Sequence, residues 1–262
     1  MGMPEDRKQI ILELLEERNA VTVVELSGVL SLSEVSVRKI LKDMEDSGLL
    51  KRTWGGAVSR SGSQKELEHD QKATRHISEK NAMAAVALSL INDGDAIFLD
   101  SGSTNLALAE LLAKQSWQNL AVGTNALNIA SRLANIKGIT VIMTGGELRG
   151  NALSCVGPIA ENTLKTTFFD KGFVSTYRIT PRHGISTPNV YEAHFKQCLM
   201  RACKENIVMA DHSKFGDDSM MQIAELDELD CIITDWLISA EMLRQIQDIN
   251  ENVIVAEKKD EA

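Results

Sequence analysis

Seven short apolar runs, spaced along residues 96–256, constrain the fold of this chain more than any other feature. Segments with helical periodicity separate most of them, at residues 106–114, 127–134, 191–204 and 240–249. Strands that are apolar on both faces and alternate with helices are typical of an α/β domain whose sheet is mostly parallel. The sequence therefore predicts such a sheet, with strands at residues 96–100, 120–124, 139–143, 172–175, 206–210, 231–234 and 253–256.

Ahead of these runs, three helical segments and a small basic hairpin predict a winged helix-turn-helix unit. Ser33 is the expected N-cap of the third helix, and Gly48 is expected to end it. Lys51 and Arg52 then lead into the turn Gly55-Gly56, which gives the hairpin. The third helix has an apolar face made of Val37, Ile40, Leu41 and Met44.

The third helix carries short polar and cationic side chains beside its apolar face, as a helix in the DNA major groove requires. We expect Ser36 and Arg38 to reach base edges, and Lys39 and Lys42 to hold phosphates. An ordinary three-helix bundle with a charged face, or a unit that binds protein, are the alternatives. The predicted DNA-binding residues are Ser33, Ser36, Arg38, Lys39, Lys42, Lys51, Arg52, Gly55 and Gly56.

Polar residues follow several of the predicted strands, where ligands of parallel sheets bind. The segment 100–104, Asp-Ser-Gly-Ser-Thr, opens a helix, and a helix N-terminus with hydroxyls and glycine favours an anion. Lys214 lies after a later strand and is a cation for the same anion. The sequence thus predicts a small-anion pocket formed by Asp100, Ser101, Gly102, Ser103, Thr104, Thr124, Asn125, Gly145, Gly146, Glu147 and Lys214.

Both regions resemble the DeoR/GlpR family of bacterial transcriptional regulators. The resemblance lies in residues 33–39, 48–50, 55–57, 100–104, 124–125, 145–149, 169–171 and 213–216. It implies a C-terminal domain similar in fold to ribose-5-phosphate isomerase and coenzyme A transferases. It also implies that a phosphorylated sugar or sugar derivative is the effector, and that Lys171 joins the pocket.

The sequence departs from the family pattern in three places. Lys39-Ile40 stands where the family usually carries Arg-Asp, and Trp54 where it often has His. Residues 175–184 replace a glycine-containing loop with Ser-Thr-Tyr-Arg-Ile-Thr-Pro-Arg-His-Gly. Arg178, Arg182 and His183 in this segment would either contact a second charged group or belong to a solvated loop.

Length and charge limit how the chain can be divided into domains. Its 262 residues suit two domains. We predict a DNA-binding domain at 1–58, a linker at 59–77, an effector domain at 78–256 and a tail at 257–262. Residues 1–60 hold nine basic and ten acidic side chains, and the rest hold 19 and 27. The DNA-binding unit is therefore nearly neutral, and its cations must be segregated on one face, with help from a second copy.

The sequence predicts neither a membrane span nor a metal site nor a cofactor. We expect no signal peptide, and the four cysteines form no Cys-x-x-Cys pair, which favours a reduced, cytoplasmic protein. We expect a repressor of a carbohydrate catabolic operon, acting as a homodimer or homotetramer on double-stranded operator DNA. The rival hypothesis is a sugar-phosphate isomerase that uses Glu147, Asp211, Glu192 and Lys214.

Overall fold

The computed structural model describes residues 4–18, 20–53, 55–59, 74–150 and 152–258. The chain divides into two compact units, Met1–Lys65 and Glu66–Ala262. Each unit is described by itself. The predicted hinge at residues 59–65 lies outside the described residues except for Ser59.

The N-terminal unit has the predicted winged helix-turn-helix elements. Its three short strands form an antiparallel sheet in the order β1-β3-β2. The three helices enclose a core that includes the fully buried side chains of Ile11, Leu26, Val37, Leu41 and Met44. The elements are α1 (Pro4–Arg18), β1 (Ala20–Thr22), α2 (Val23–Leu30), α3 (Glu34–Asp46), β2 (Leu50–Arg52) and β3 (Gly56–Ser59).

Caps set the boundaries of the two helices of the helix-turn-helix. Thr22 and Glu25 form a reciprocal capping box at the start of α2. Ser31 ends α2 in a left-handed conformation, with φ of 51°. Gly48 follows α3 with φ of 75°, a conformation that glycine adopts without steric cost. Local sequence therefore fixes the turn that separates α2 from α3.

The C-terminal unit alternates strands and helices along its length. The short helices 212–214 and 226–228 are of the 3-10 type. The elements are α4 (Ile77–Ser89), β4 (Ala96–Leu99), α5 (Ser103–Leu112), β5 (Leu120–Thr124), α6 (Leu127–Leu133), β6 (Ile139–Met143), β7 (Glu147–Arg149), β8 (Ser154–Val156), α7 (Pro158–Leu164), β9 (Phe169–Val174), β10 (Arg178–Thr180), β11 (Gly184–Thr187), α8 (Val190–Ala202), β12 (Cys203–Met209), β13 (Met221–Ala224), β14 (Cys231–Asp235), α9 (Ala240–Gln247) and β15 (Val253–Ala256).

A seven-stranded parallel sheet forms the centre of this unit, in the order β15-β14-β12-β9-β4-β5-β6. Its strands are the seven predicted apolar runs, which confirms the predicted fold. Successive residues of β4 enter different apolar clusters: Ile97 and Leu99 belong to one, and Phe98 to the other. Both faces of the sheet are therefore covered, which explains why the strands are apolar throughout.

Five short strands were not predicted. β7 and β8 pair as an antiparallel hairpin, and β10, β11 and β13 form a three-stranded antiparallel sheet. The segment 175–184 is thus not a solvated loop throughout, because residues 178–180 and 184 lie in strands. His183 at its turn is paired with Asp218, with 2.7 Å between Nδ1 and Oδ2. That pairing links this histidine to a carboxylate in the loop that precedes β13.

Candidate nucleic-acid interface and effector pocket

The helix α3, which carries most of the predicted DNA contacts, is held by its cap and its apolar face. The Oγ atom of Ser33 accepts the backbone N–H of Ser36 at 3.3 Å, as predicted for an N-cap. Val37, Leu41 and Met44 have no exposed surface. The residues between them are accessible, so the helix presents a polar face whose position is fixed by its buried one.

The predicted contacts of α3 lie on this exposed face. Ser36, Arg38, Lys39 and Lys42 are all exposed. The guanidinium of Arg38 lies 3.5 Å from the carboxylate of Glu34, one turn earlier. Such an exposed pair is weak, so Arg38 can exchange Glu34 for a base edge.

The wing places its predicted residues in different environments. Lys51 and Arg52 lie in β2, and the backbone N–H of Arg52 donates to Glu45 at 2.7 Å. Gly55 is exposed at the turn, and its carbonyl oxygen accepts the N–H of Val23. Trp54 lies outside the described residues.

Gly56 has a structural role that the sequence did not indicate. It is buried in β3, opposite Thr22 of β1. A Cβ atom at this position would lie 1.9 Å from the carbonyl oxygen of Val21. The prediction that Gly56 contacts DNA is therefore corrected, because its place is between two strands and not on the surface of the wing.

In the C-terminal unit, Asp100 anchors the carboxyl edge of the sheet. Its side chain is fully buried and forms an ion pair with Lys196 of α8, which is 3% exposed. The same Oδ2 atom accepts the N–H of Ser175 at 3.0 Å and its hydroxyl at 2.9 Å. Lys196 also donates to the hydroxyl of Ser175 at 2.7 Å. Three segments are thereby joined at the ends of β4 and β9.

Thr124 and Asn125 complete this framework at the end of β5. Thr124 donates to the carbonyl oxygen of Leu99 at 2.7 Å, and Asn125 accepts the N–H of Ser101 at 3.0 Å. Both residues are buried. Asp100, Thr124 and Asn125 thus hold the loop 100–104 in shape, because their polar atoms bond to the protein.

The loop 100–104 leaves a helix N-terminus open for an anion. Gly102 is the N-cap of α5, with φ of 152° and no side-chain cap. Within the described part of the chain, the backbone N–H groups of Ser103 and Thr104 have no acceptor, as expected for the first residues of a helix. Both side chains are half-buried. Free N–H groups, hydroxyls and the helix dipole suit a phosphate.

The hairpin β7–β8 flanks the same edge of the sheet. Gly145 and Gly146 adopt positive φ values of 67° and 114° directly after β6, and Glu147 is exposed. Arg149 of this hairpin forms an ion pair with Glu192 of α8. The carboxylate of Glu192 also accepts the hydroxyl of Thr187 at 2.9 Å. The hairpin is therefore tied to the helix that supplies Lys196.

Lys214 lies at the end of the short helix after β12 and is half-buried. Its Nζ atom is 5.8 Å from the ring centroid of Tyr177, two residues beyond Ser175. The nearby Asp211 is 2% exposed. Burial acts to raise the pKa of Asp211, but Lys214, Ser213 and other neighbours outweigh it and lower that pKa. Asp211 is thus ionised at neutral pH.

Lys171 is not part of this cluster, which corrects the prediction. Its Nζ atom lies 2.8 Å from the carboxylate of Asp95, and both side chains are largely buried. Asp95 precedes the first residue of β4, whereas Asp100 follows the last. Lys171 therefore lies toward the amino ends of the strands, where it neutralises Asp95.

Family models assign both units. The DeoR-like helix-turn-helix domain matches residues 7–62, and the DeoR C terminal sensor domain matches residues 75–236. The chain belongs to the DeoR family. The HTH-type transcriptional regulator GolR of Listeria innocua serovar 6a is 33% identical over 254 residues, covering 97% of this chain and 99% of the relative.

A second relative is the putative aga operon transcriptional repressor of Escherichia coli O157:H7. It is 32% identical over 256 residues, covering 97% of this chain and 94% of the relative. Among solved structures, ribose 5 phosphate isomerase A from Neisseria gonorrhoeae aligns over 53% of each chain, with a TM-score of 0.39 and 15% identity.

Membership in the DeoR family makes this protein a DNA-binding transcriptional regulator and not an enzyme. The two relatives are named as a transcriptional regulator and a transcriptional repressor. Two of the carboxylates considered for catalysis are also committed elsewhere, Glu192 to Arg149 and Asp211 to its neighbouring cations. The C-terminal unit is the DeoR sensor domain, whose type indicates a small-molecule effector.

Sequence reasoning missed Lys196, Ser175 and Asn105 in this DeoR sensor domain. Asn105 is buried and donates to the carbonyl oxygens of Asp100 and Phe173. Lys196 had a detectable signal, because Glu192 and Lys196 lie one turn apart on a helix face that also carries the buried Leu199. Two opposite charges on an apolar stripe indicate partners elsewhere in the fold.

No group of three or more potential metal ligands occurs among the residues that the structure describes. Over the same residues, no helix is both long enough and apolar enough to cross a membrane. Burial raises the pKa of the Cys203 thiol to about 12 and that of Cys231 to about 11. These two thiols are therefore protonated, and unreactive as nucleophiles, at neutral pH.

Proposed function

We propose that this protein represses an operon for carbohydrate catabolism and that a phosphorylated sugar, or a sugar derivative, controls its hold on the operator. The observation that carries the proposal is the open N-terminus of α5, set in a framework whose buried charges are already paired. The relative named as a repressor of the aga operon supports the direction of control.

The DNA half of the proposal depends on the exposed face of α3. Ser36 and Arg38 contact base edges, and Lys39 and Lys42 hold phosphates on either side of the groove. Lys51, Arg52 and Gly55 of the wing approach the DNA backbone. Ser33 acts through its cap, which fixes the start of the helix.

The effector half depends on how charge is distributed at the carboxyl edge. Asp100 is matched by Lys196, and Glu192 by Arg149. Among the described residues, the helix N-terminus at residues 102–104 and the side chain of Lys214, which also interacts electrostatically with Asp211, can attract an anion. Ser101, Gly145, Gly146 and Glu147 line the remaining edge, where a carboxylate and backbone groups suit sugar hydroxyls.

Control by the effector requires two arrangements of the protein with different affinities for DNA. A ligand shifts this balance only by its difference in affinity for the two, typically about 1–3 kcal/mol. A homodimer or homotetramer would present paired recognition helices to half-sites about 10 base pairs apart, or at multiples of that distance.

Calorimetric titration of the full-length protein tests the pocket. The panel is ribose 5-phosphate, fructose 1-phosphate, fructose 6-phosphate, glucose 6-phosphate and glycerol 3-phosphate, with inorganic phosphate as a reference. We expect one member to bind, and Ser103→Ala or Lys214→Ala to weaken it by about tenfold or more, as loss of a charge-assisted hydrogen bond implies.

The exposed Lys114 provides the matched control, because it lies beyond the far end of α5. Lys114→Ala should bind the same phosphate as tightly as the wild type does. Unchanged affinity in both Ser103→Ala and Lys214→Ala would remove the proposed pocket.

A further inference from the structure

We infer that the segment 211–214 transmits effector binding to residues 75–80, where the match to the DeoR sensor domain begins. The inference rests on the proposed function, because it requires an anion bound beside Lys214. It extends that function by naming the side chains through which the pocket communicates with the segment leading to the DNA-binding unit.

Lys80 is the first link. It lies one turn into α4 and is only 5% exposed. Its Nζ atom donates to the carbonyl oxygen of Arg75, which precedes the helix. A buried ammonium also needs a carboxylate nearby, and Asp211 exerts the largest attractive effect on this lysine. Because Lys80 holds the carbonyl oxygen of Arg75, a change in the charges around Lys80 changes how firmly Arg75 is held.

Asp211 is the second link, because it is shared between cations. It is 2% exposed and lies within electrostatic range of both Lys80 and Lys214. Its Oδ1 atom accepts the backbone N–H of Ser213 at 3.1 Å, which ties it to the turn. A phosphate that attracts Lys214 away from Asp211 leaves this carboxylate more fully to Lys80.

Two histidine rings in contact with each other form a third link. His76 and His212 meet edge to face, with ring centroids 4.9 Å apart. His212 is held by the fully buried Asp235, with a backbone N–H bond of 2.7 Å and 3.1 Å from Nδ1 to Oδ1. His76 has a φ of 51°, so its backbone is in a strained conformation that its surroundings maintain. A shift of the turn thus displaces His76 as well.

The two routes converge on the residues that precede α4. Arg75 is contacted by Lys80, and His76 by His212. Occupied and empty pockets then correspond to two arrangements of this segment, which is the physical requirement for coupling between distant sites.

The double variant Lys80→Met with Asp211→Asn tests the inference. Both buried charges are removed together, so neither is left uncompensated. Operator affinity is measured by fluorescence anisotropy with and without each phosphate of the panel, and phosphate affinity by calorimetry. We expect operator affinity without phosphate to stay within about threefold of the wild type, and phosphate affinity to stay the same or rise because Lys214 no longer has Asp211 as a partner. The phosphate's effect on operator affinity should fall from about tenfold or more to nearly none.

Lys114→Met is the control and should respond to the phosphate as the wild type does. His212→Phe keeps a ring beside His76 but loses the side-chain Nδ1 bond to Asp235. It should reduce the response even if the double variant does not fold. Wild-type response in both the double variant and His212→Phe would overturn the inference and leave the proposed function intact. A wild-type protein that binds no phosphate of the panel would overturn both.

Discussion

At the scale of single residues, Arg38 carries the sharpest expectation about DNA. It is exposed on α3, and its only recorded partner among the described residues is Glu34, an exposed acid. Replacing it leaves the buried face of the helix unchanged. The specificity of the N-terminal unit for DNA therefore depends strongly on the Arg38 side chain. The stability of that unit depends on it much less.

Arg38→Ala should weaken specific operator binding by about 1–3 kcal/mol, roughly 5-fold to 150-fold, and leave the circular dichroism spectrum unchanged. Glu34→Gln is the matched control, since it removes the competing carboxylate and should preserve or tighten binding. Electrophoretic mobility shifts at fixed salt measure both. Wild-type specificity in Arg38→Ala would show that another helix face reads the bases.

Lys80 gives a prediction for stability against pH. Burial lowers its pKa from 10.5 to about 8, with attraction to Asp211 as the next largest effect. Below pH 8 the lysine is charged in both folded and unfolded states, so the cost of burial is present in full. Between about pH 8 and 10.5 the folded protein has released a proton that the unfolded chain still binds, and stability rises.

Urea denaturation of the wild type and Lys80→Met at pH 7, 8.5 and 10 measures this effect. The wild type should gain about 2 kcal/mol relative to the variant across this range. Lys114→Met should show no such trend, because that lysine is exposed. A difference between wild type and Lys80→Met that does not change with pH would mean that Lys80 is solvated.

At the scale of elements, the wing depends on close backbone contact between β1 and β3. Gly56→Ala would place a methyl group 1.9 Å from the carbonyl oxygen of Val21, so the strands must separate. We expect a loss of about 2 kcal/mol or more from the N-terminal unit. Gly28→Ala is the control, because nothing lies within 4 Å of that position and alanine favours a helix.

Hydrogen exchange of the full-length protein reports the outcome, through peptides that cover residues 20–30. Exchange should accelerate in Gly56→Ala and stay the same or slow down in Gly28→Ala. Equal protection in the two variants would contradict the close approach of β1 and β3.

The buried strands of the parallel sheet could be predicted from the sequence, and the five antiparallel strands of the C-terminal unit could not. The strands of the parallel sheet are apolar because helices cover both faces, so each run was visible on its own. β7, β8 and β10 have three residues each and mix polar with apolar side chains. Their pairing is decided by neighbours far away in sequence, which periodicity does not report.

In the candidate effector site, too, local patterns could be predicted from the sequence and long-range contacts could not. The loop 100–104 was recognisable because a glycine between hydroxyl residues opens a helix, a local pattern. Lys196 and Ser175 reach Asp100 from 96 and 75 residues away in sequence. Lys171 entered the predicted pocket through the family resemblance alone, and the predicted strand began after it, at residue 172. In the structure Lys171 lies within β9, opposite Ile97 near the start of β4.

At the scale of the whole molecule, the two units contribute unequally to binding. The protein has a net charge of −9, most of it outside residues 1–60. General attraction to DNA is therefore weak, and operator affinity must come from aligned recognition helices and local cations. Because general attraction to DNA is weak, a change in the C-terminal unit can readily shift the equilibrium between operator-bound and free protein.

Fluorescence anisotropy on the DNA upstream of the protein's own gene cluster tests the central claim most directly. Protein is titrated at fixed salt, and the sugar phosphates are then added one at a time, with inorganic phosphate as the reference. We predict specific binding that one sugar phosphate releases and inorganic phosphate does not. Specific binding that no phosphate alters would contradict control by a phosphorylated sugar, and failure to bind this DNA specifically would contradict the proposed repressor.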